Sequence, residues 1–225
     1  MHHHEIVTKA LGEGRKTLDE FESKELLRAY GIPTVPERAC ATRDEALAAC
    51  AAIGYPVVMK ALSSKIAHKT ERGLVKVGVP DAAAAGVGFD ELQAGSGADF
   101  ERVVVQKMVS SKRELVAGLT TDPQFGPCVM FGLGGIFTEV LRDVAFRVAP
   151  LKERDALEMM GEIRAAKILG KVRGMPEADR AALASLLVKT GQIGLDTPEI
   201  KEIDLNPVML DGASPVVVDA LVILK

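Results

Sequence analysis

The sequence predicts an α+β protein built as two lobes, and three observations carry that prediction. Strand-like and helix-like stretches mix without the strict β-α-β alternation of a doubly wound sheet. A segment at 80–101 is rich in alanine and glycine, including Gly86, Gly88, Gly95 and Gly97, and reads as a weak helix followed by a loose connection. With 225 residues, 48% of them apolar and 26% charged, the chain can bury a real core in one large domain or two small lobes. The boundaries expected are a tail at 1–16, an N-terminal lobe at 17–101 and a C-terminal lobe at 102–225.

Composition removes several classes of function. A net charge of −3 lacks the basic excess of a nucleic-acid binder. Tryptophan is absent and aromatics make up 4%, too few for base-stacking platforms. Cys40, Cys50 and Cys128 are odd in number and lack metal-ligand spacing, so free thiols in a reducing compartment are expected. No apolar run approaches a membrane span and no signal peptide is visible, which points to a cytoplasmic protein away from membranes.

Taken in order, residues 1–16 show no clear apolar pattern, and His2, His3 and His4 beside Met1 read as a tag remnant or frayed tail. Thr17-Leu18-Asp19-Glu20 is a candidate capping box, followed by Leu18, Phe21, Leu26, Leu27 and Tyr30 on one helical face and by Gly31 and Pro33 as stops. The pattern returns at Thr42-Arg43-Asp44-Glu45, with a helix running to Ile53 and Gly54 at its end. Strands are expected at Val57–Leu62, Leu74–Val79, Arg102–Met108, Arg113–Leu119 and Cys128–Phe131. Helices follow at Lys152–Ile163 and Ala178–Gly191. Strands at Ile200–Leu205 and Val216–Leu224, around the turn Asp211-Gly212-Ala213, close the chain.

Chemistry concentrates in Tyr55–Val79, YPVVMKALSSKIAHKTERGLVKVGV, which reads as strand, polar loop, strand. Lys60 interrupts an apolar strand, and the loop Ser63–Gly73 carries Lys65, His68, Lys69 and Arg72. A lysine on a strand leading into a basic loop suits a phosphate, because it supplies a fixed charge beside backbone amides. The plain alternative is a solvated edge lysine and a soluble loop. His68 is the one histidine outside the N-terminal cluster, so imidazole chemistry near neutral pH rests on it.

Further along, Gly132-Leu133-Gly134-Gly135 follows a strand but fails the dinucleotide fingerprint, since Phe137 stands where its last glycine belongs. No Gly-Lys-Ser/Thr occurs either. A structural turn and a phosphate contact remain equally open on spacing. Near the end, alternation in Ile203-Asp204-Leu205-Asn206-Pro207 puts Asp204 and Asn206 on one face, and a hairpin return brings Asp219 near them. That is either a polar-faced hairpin or the oxygen set of a magnesium ion, with water and phosphate completing the octahedron.

Lys60 followed by Ile66, His68, Lys69 and Gly73 in an I-x-H-K-x-x-x-G pattern resembles the nucleotide-binding β subunit of ADP-forming acyl-CoA synthetases. These are relatives of the succinyl-CoA synthetase β chain and have an ATP-grasp fold. FGLGGIFTEVLRDVAFRVAP, from Phe131 to Pro150, closely resembles the same family. The resemblance covers about residues 17–225. It implies two α+β lobes clasping ATP or ADP, with His68 as the phosphoryl carrier. Lys60 and Gly73 would serve the phosphates, the Gln106, Lys107 and Met108 backbone the adenine, and Glu114 the ribose. Glu139 and Arg147 would line the phosphate end, and Asn206 and Asp219 would hold Mg2+, with Asp204 behind them. Where the family commonly has two glycines before the second strand, this chain has Gly73 and Leu74.

The activity so implied is acyl-CoA + ADP + phosphate = carboxylic acid + CoA + ATP. An α subunit carrying the CoA chemistry would be the partner, in a heterotetramer. Two other readings stay open at this point: a self-contained ATP-dependent carboxylate–amine ligase, and a non-catalytic nucleotide-sensing module.

Overall fold

The computed structural model describes residues 2–63, 73–135 and 143–225. The chain forms two compact units, one of Val35–Val109 and one of Met1–Thr34 with Ser110–Lys225. The boundary expected at 101/102 therefore moves to 109/110, and the first residues belong with the last. The reason is strand pairing: Thr17 bridges to Ile223, Leu18 N–H donates to Val222 O at 3.0 Å, and Thr34 bridges to Val217.

The expected tail is a helix, α1 (His2–Gly12), which buries Val7 and Ala10 one turn apart. Two buried positions are too few to show as a period in sequence. Helix α2 (Glu20–Ala29) starts two residues later than expected, because Thr17 and Leu18 are held in extended backbone by those bridges. Its N-cap is Asp19, whose carboxylate accepts from Glu22 N at 2.8 Å while Glu22 accepts from Asp19 N at 3.0 Å. The capping box exists in another frame.

In the smaller unit, β1 (Glu37–Cys40) precedes α3 (Arg43–Ile53), whose capping box at Thr42 and Glu45 and terminal Gly54 at φ 90° stand as expected. Then come β2 (Val57–Leu62), β3 (Val75–Val79), α4 (Ala82–Ser96) and β4 (Arg102–Lys107). The strands form one antiparallel sheet in the order β1-β4-β2-β3. Val57, Met59, Ala61, Val103 and Val105 face the core shared with α3 and α4.

The larger unit continues through β5 (Glu114–Asp122), β6 (Gly126–Leu133) and β7 (Val144–Val148). Helices α5 (Glu153–Glu162) and α6 (Arg180–Asp196) precede β8 (Ile200–Asp211), β9 (Ser214–Val217) and β10 (Ala220–Leu224). Its antiparallel sheet runs β10-β8-β5-β6-β7, with β9 paired to β8. Leu115, Ala117, Leu119, Val129, Ile203 and Leu205 bury the helix-facing side with Leu186 and Leu187 of α6.

Strand β8 runs through Pro207 to Asp211, past the expected end at Leu205. The pairing shifts from Ala117↔Leu205 to Leu115↔Val208, so Asn206 and Pro207 together oppose Val116. That is a β-bulge, and it accommodates a proline that has no N–H for the ladder. The Asn206–Pro207 bond is cis.

Candidate functional site

Alternation fixes what the larger sheet presents on the side away from its helices. Leu115, Ala117, Ile203, Leu205, Ala220 and Val222 are in the core, so Glu114, Val116, Gly118, Glu202, Asp204 and Leu221 take the opposite face. Asn206 follows Leu205 onto that face, and the bulge keeps it there while the strand changes phase. Register then brings Asp219 in. Ala220 pairs with Leu205, and Val218 N–H donates to Pro207 O at 3.1 Å, which leaves Asp219 directly opposite Asn206. Residues so opposed have Cβ atoms about 4.5–5.5 Å apart.

The electrostatics agree with this placement. Burial, then the neighbouring charges of Glu202 and Asp219, pushes the Asp204 carboxyl above the usual aspartate range. Negative charge is thus crowded on the strand pair, a situation that a divalent cation relieves. Among the described residues no three His, Cys, Asp or Glu side chains cluster as a ready chelate. Asn206 and Asp219 would supply two oxygens, and water and phosphate the rest, as magnesium commonly requires.

In the smaller unit Lys60 is not the solvated edge lysine of the plain reading. Strand β2 is interior, with Lys60 paired to Val104 on one side and Val75 on the other, and Lys60 is 6% exposed. Its neighbours Met59 and Ala61 point to the helical core, so Lys60 points to the other face. Gln106, paired with Val58 and 1% exposed, shares that face. Of the backbone groups expected to meet adenine, the Lys107 N–H is already committed to Pro36 O at 2.9 Å. Met108 follows the end of β4, half-buried.

Gly73 has φ 69°, the left-handed conformation that suits glycine. Leu74 beside it is 1% exposed, and its side chain joins the core and meets Gly95. The departure from the double glycine is therefore absorbed by the core. His68 and Glu139 lie outside the described residues.

The glycine stretch turns out to seat Glu114. Gly134 N–H donates to Glu114 O at 2.8 Å, and a Cβ on Gly134 would lie 2.8 Å from the Leu115 backbone. A Cβ on Gly135 would stand 2.8 Å from Glu114 Oε2. Close approach to β5 explains these glycines, and the Gly134 amide is not available to an anion.

Arg147 is placed elsewhere. It pairs with Val129 of the core, hence on the helix-facing side, and both its terminal nitrogens bind Glu162 at the end of α5. The phosphate role implied for it is not what this geometry favours.

Two supports were not anticipated. Lys24 on α2 is fully buried, ion-paired with Glu20 at 3.0 Å, and its Nζ donates to Val218 O at 3.0 Å, next to Asp219. An i, i+4 acid and lysine was the available signal, but on sequence it looks like any surface pair. Asp143, 6% exposed, accepts from Arg164 N at 2.6 Å and Ala165 N at 2.7 Å and so ties the loop after α5 to β7.

A buried lysine on an interior strand and an Asn–Asp strand pair, on two antiparallel α+β units, are the parts of an ATP-grasp protein. The chain belongs to that family: the ATP-grasp domain model matches residues 9–224. More particularly, it is 44% identical over 225 residues to the β subunit of ADP-forming acetate–CoA ligase I of Pyrococcus furiosus, covering 98% of this chain and 97% of that one. It is 42% identical to ADP-forming acetate–CoA ligase I of Archaeoglobus fulgidus over 98% of this chain, but spans 33% of that longer protein. A solved structure of Candidatus Korarchaeum cryptofilum acetyl-coenzyme A synthetase 1 with coenzyme A and Ca-AMPCP aligns at TM-score 0.94 and 41% identity, over 98% of this chain and 99% of its own. Another structure of the same enzyme contains coenzyme A and Mg-AMPPCP, with a phosphohistidine segment pointing towards the nucleotide binding site. The expected ATP-grasp fold and family are borne out. Among the described residues no helix is long and apolar enough to cross a membrane.

Proposed function

We propose that this chain is the nucleotide-binding subunit of an ADP-forming acyl-CoA synthetase, acting in the cytoplasm with an α partner in a heterotetramer. The observation that carries this reading is the strand pair Asn206/Asp219, with Asp204 held above its ordinary range beside them. The separate β chain in Pyrococcus and the longer single chain in Archaeoglobus support a partner that supplies the acyl and CoA chemistry. In the direction of ATP synthesis the partner would turn acyl-CoA and phosphate into acid, CoA and a phosphoryl group on His68. ADP oxygen then attacks that phosphorus, the P–N bond breaks, and His68 returns to neutral imidazole. Imidazole suits such a relay because it is both nucleophile and leaving group near neutral pH.

Each residue has a specific task. Lys60 holds the phosphates by a charge that the interior strand prevents from wandering, and Glu114 holds the ribose. Gln106 and the backbone at Met108 orient the base. Positioning is most of the catalysis in phosphoryl transfer. Mg2+ on Asn206 and Asp219 would neutralise charge on the phosphate oxygens.

The test is reconstitution with the α subunit, followed by acetyl-CoA, labelled phosphate and magnesium without ADP. Acid-labile label on His68 is the expected result, and His68→Ala should abolish ATP formation while ADP binding persists. Wild-type ATP formation by His68→Ala would remove the relay.

A further inference from the structure

We infer that the larger unit carries a second anion site, for a phosphate-class oxyanion, in a cleft of about 390 Å³ lined by Lys112, Arg113, Arg173, Ser110 and Ser111. The remaining described wall is Met175, Pro176, Leu210 and Gly212, so among the described residues the lining holds three cations and no carboxylate.

The cations are not ordinary surface charges. Arg113 is 2% exposed, yet no carboxylate pairs with it among the described residues. Its guanidinium donates to the carbonyls of Gly212 at 2.8 Å and Ile168 at 3.4 Å, and its buried Nε has no hydrogen-bond partner among the described residues. A buried cation held by neutral acceptors is a costly arrangement that a counter-ion would relieve. Arg173 adds an independent observation. Val172 and Met175 exchange backbone bonds at 3.3 and 2.9 Å around Arg173 and Gly174, whose φ values are 46° and 82°. A two-residue turn with both φ positive favours Asn-Gly, and a Cβ-bearing arginine is disfavoured at its first position. Arginine in that place is accounted for by where its charge lands, on the wall of this cleft.

The cleft is distinct from the face of Glu114, Asp204 and Asn206. Leu210 in its wall belongs to the helix-side core, whereas Glu114 pairs with Met209, one residue along and on the other side. Three cations are more than one carboxylate needs and suit a dianion, for which guanidinium groups offer paired donors.

The experiment is calorimetric titration of the full chain with inorganic phosphate at constant ionic strength, with and without saturating ADP and magnesium, and a thermal melt of each variant. Arg173→Asn is the informative change, because it removes the charge while fitting the left-handed turn better. It should bind phosphate roughly tenfold more weakly than wild type, melt no lower, and keep its ADP affinity. Lys112→Ala should weaken phosphate similarly. Phosphate binding that disappears when ADP is present would make the cleft part of the nucleotide site and overturn the inference. So would phosphate affinity unchanged in both variants, or no phosphate binding by wild type. Binding of glutarate in place of phosphate would reassign the cleft to an acidic side chain of a partner. If ADP itself fails to bind while phosphate binding responds to Arg173→Asn, the nucleotide reading falls and this one stands.

Discussion

Gly135→Ala separates seating of Glu114 from plain stability. Gly135 has φ +69°, and alanine in the left-handed region costs about 1–2 kcal/mol. For a chain of this size that is a fall in Tm of about 2–8 °C, at about 2–4 °C per kcal/mol. The new Cβ would also stand 2.8 Å from Glu114 Oε2, and ordinary contact begins at 3.4 Å, so the carboxylate must retreat. Because it is the far end of a flexible side chain, that movement adds little to the loss of stability. Its effect falls on the ligand: a hydrogen bond to a charged carboxylate contributes about 1.5–3 kcal/mol, or about ten- to a hundredfold in Kd. Gly126→Ala is the control, with φ +77° and no atom within 4 Å of its Cβ. Calorimetric melts should show similar destabilisation in both, and titration with ADP and magnesium should show weakened binding in Gly135→Ala alone. Equal ADP affinity in the two variants would refute the idea that these glycines seat a ribose-binding Glu114.

Two further outcomes follow from the ionisable groups near β10. Lys24→Met removes the buried partner of Glu20, a change of about 3–5 kcal/mol, whereas Glu20→Gln with Lys24→Met should recover most of it; denaturant melts of the single and double variants check this, and weaker magnesium-dependent ADP binding should accompany release of Val218. The Asp204 carboxyl, raised by burial and by Glu202 and Asp219, holds its proton more tightly folded than unfolded. Its stabilising contribution is complete below the unfolded aspartate pKa and is lost as pH rises through the higher folded one. Asp204→Asn should therefore gain stability over wild type above that window, and urea melts across pH that run parallel for the two proteins would contradict the placement.

Residue types and local spacing made much of this protein legible. Hydrophobic runs at Val57–Leu62 and Arg102–Lys107 are strands because β-branched residues suit them, and Thr42 with Glu45 caps its helix as the spacing requires. Lys60, Asn206 and Asp219 were nameable because their neighbours resemble those of a known family. The short strands Glu37–Cys40 and Val144–Val148 escaped, since each pairs with a single neighbour and carries little alternation of its own. Helix α1 escaped for a similar reason, as Val7 and Ala10, with Ile6 half-buried beside them, make only a short apolar face.

What the sequence by itself determined is the inventory: a lysine in an apolar strand, an Asn and an Asp thirteen residues apart, one internal histidine and a glycine-rich stretch. Tertiary structure decided which of these meet. Strand order made Lys60 interior and buried, and a bulge at Asn206-Pro207 kept Asn206 facing Asp219. The pairing of Arg147 with Val129 turned it to Glu162, and Arg113 became a buried cation in a basic cleft. The physical reason is that strand side chains alternate, so one residue of register decides which face a group takes, and register depends on partners far away in the chain.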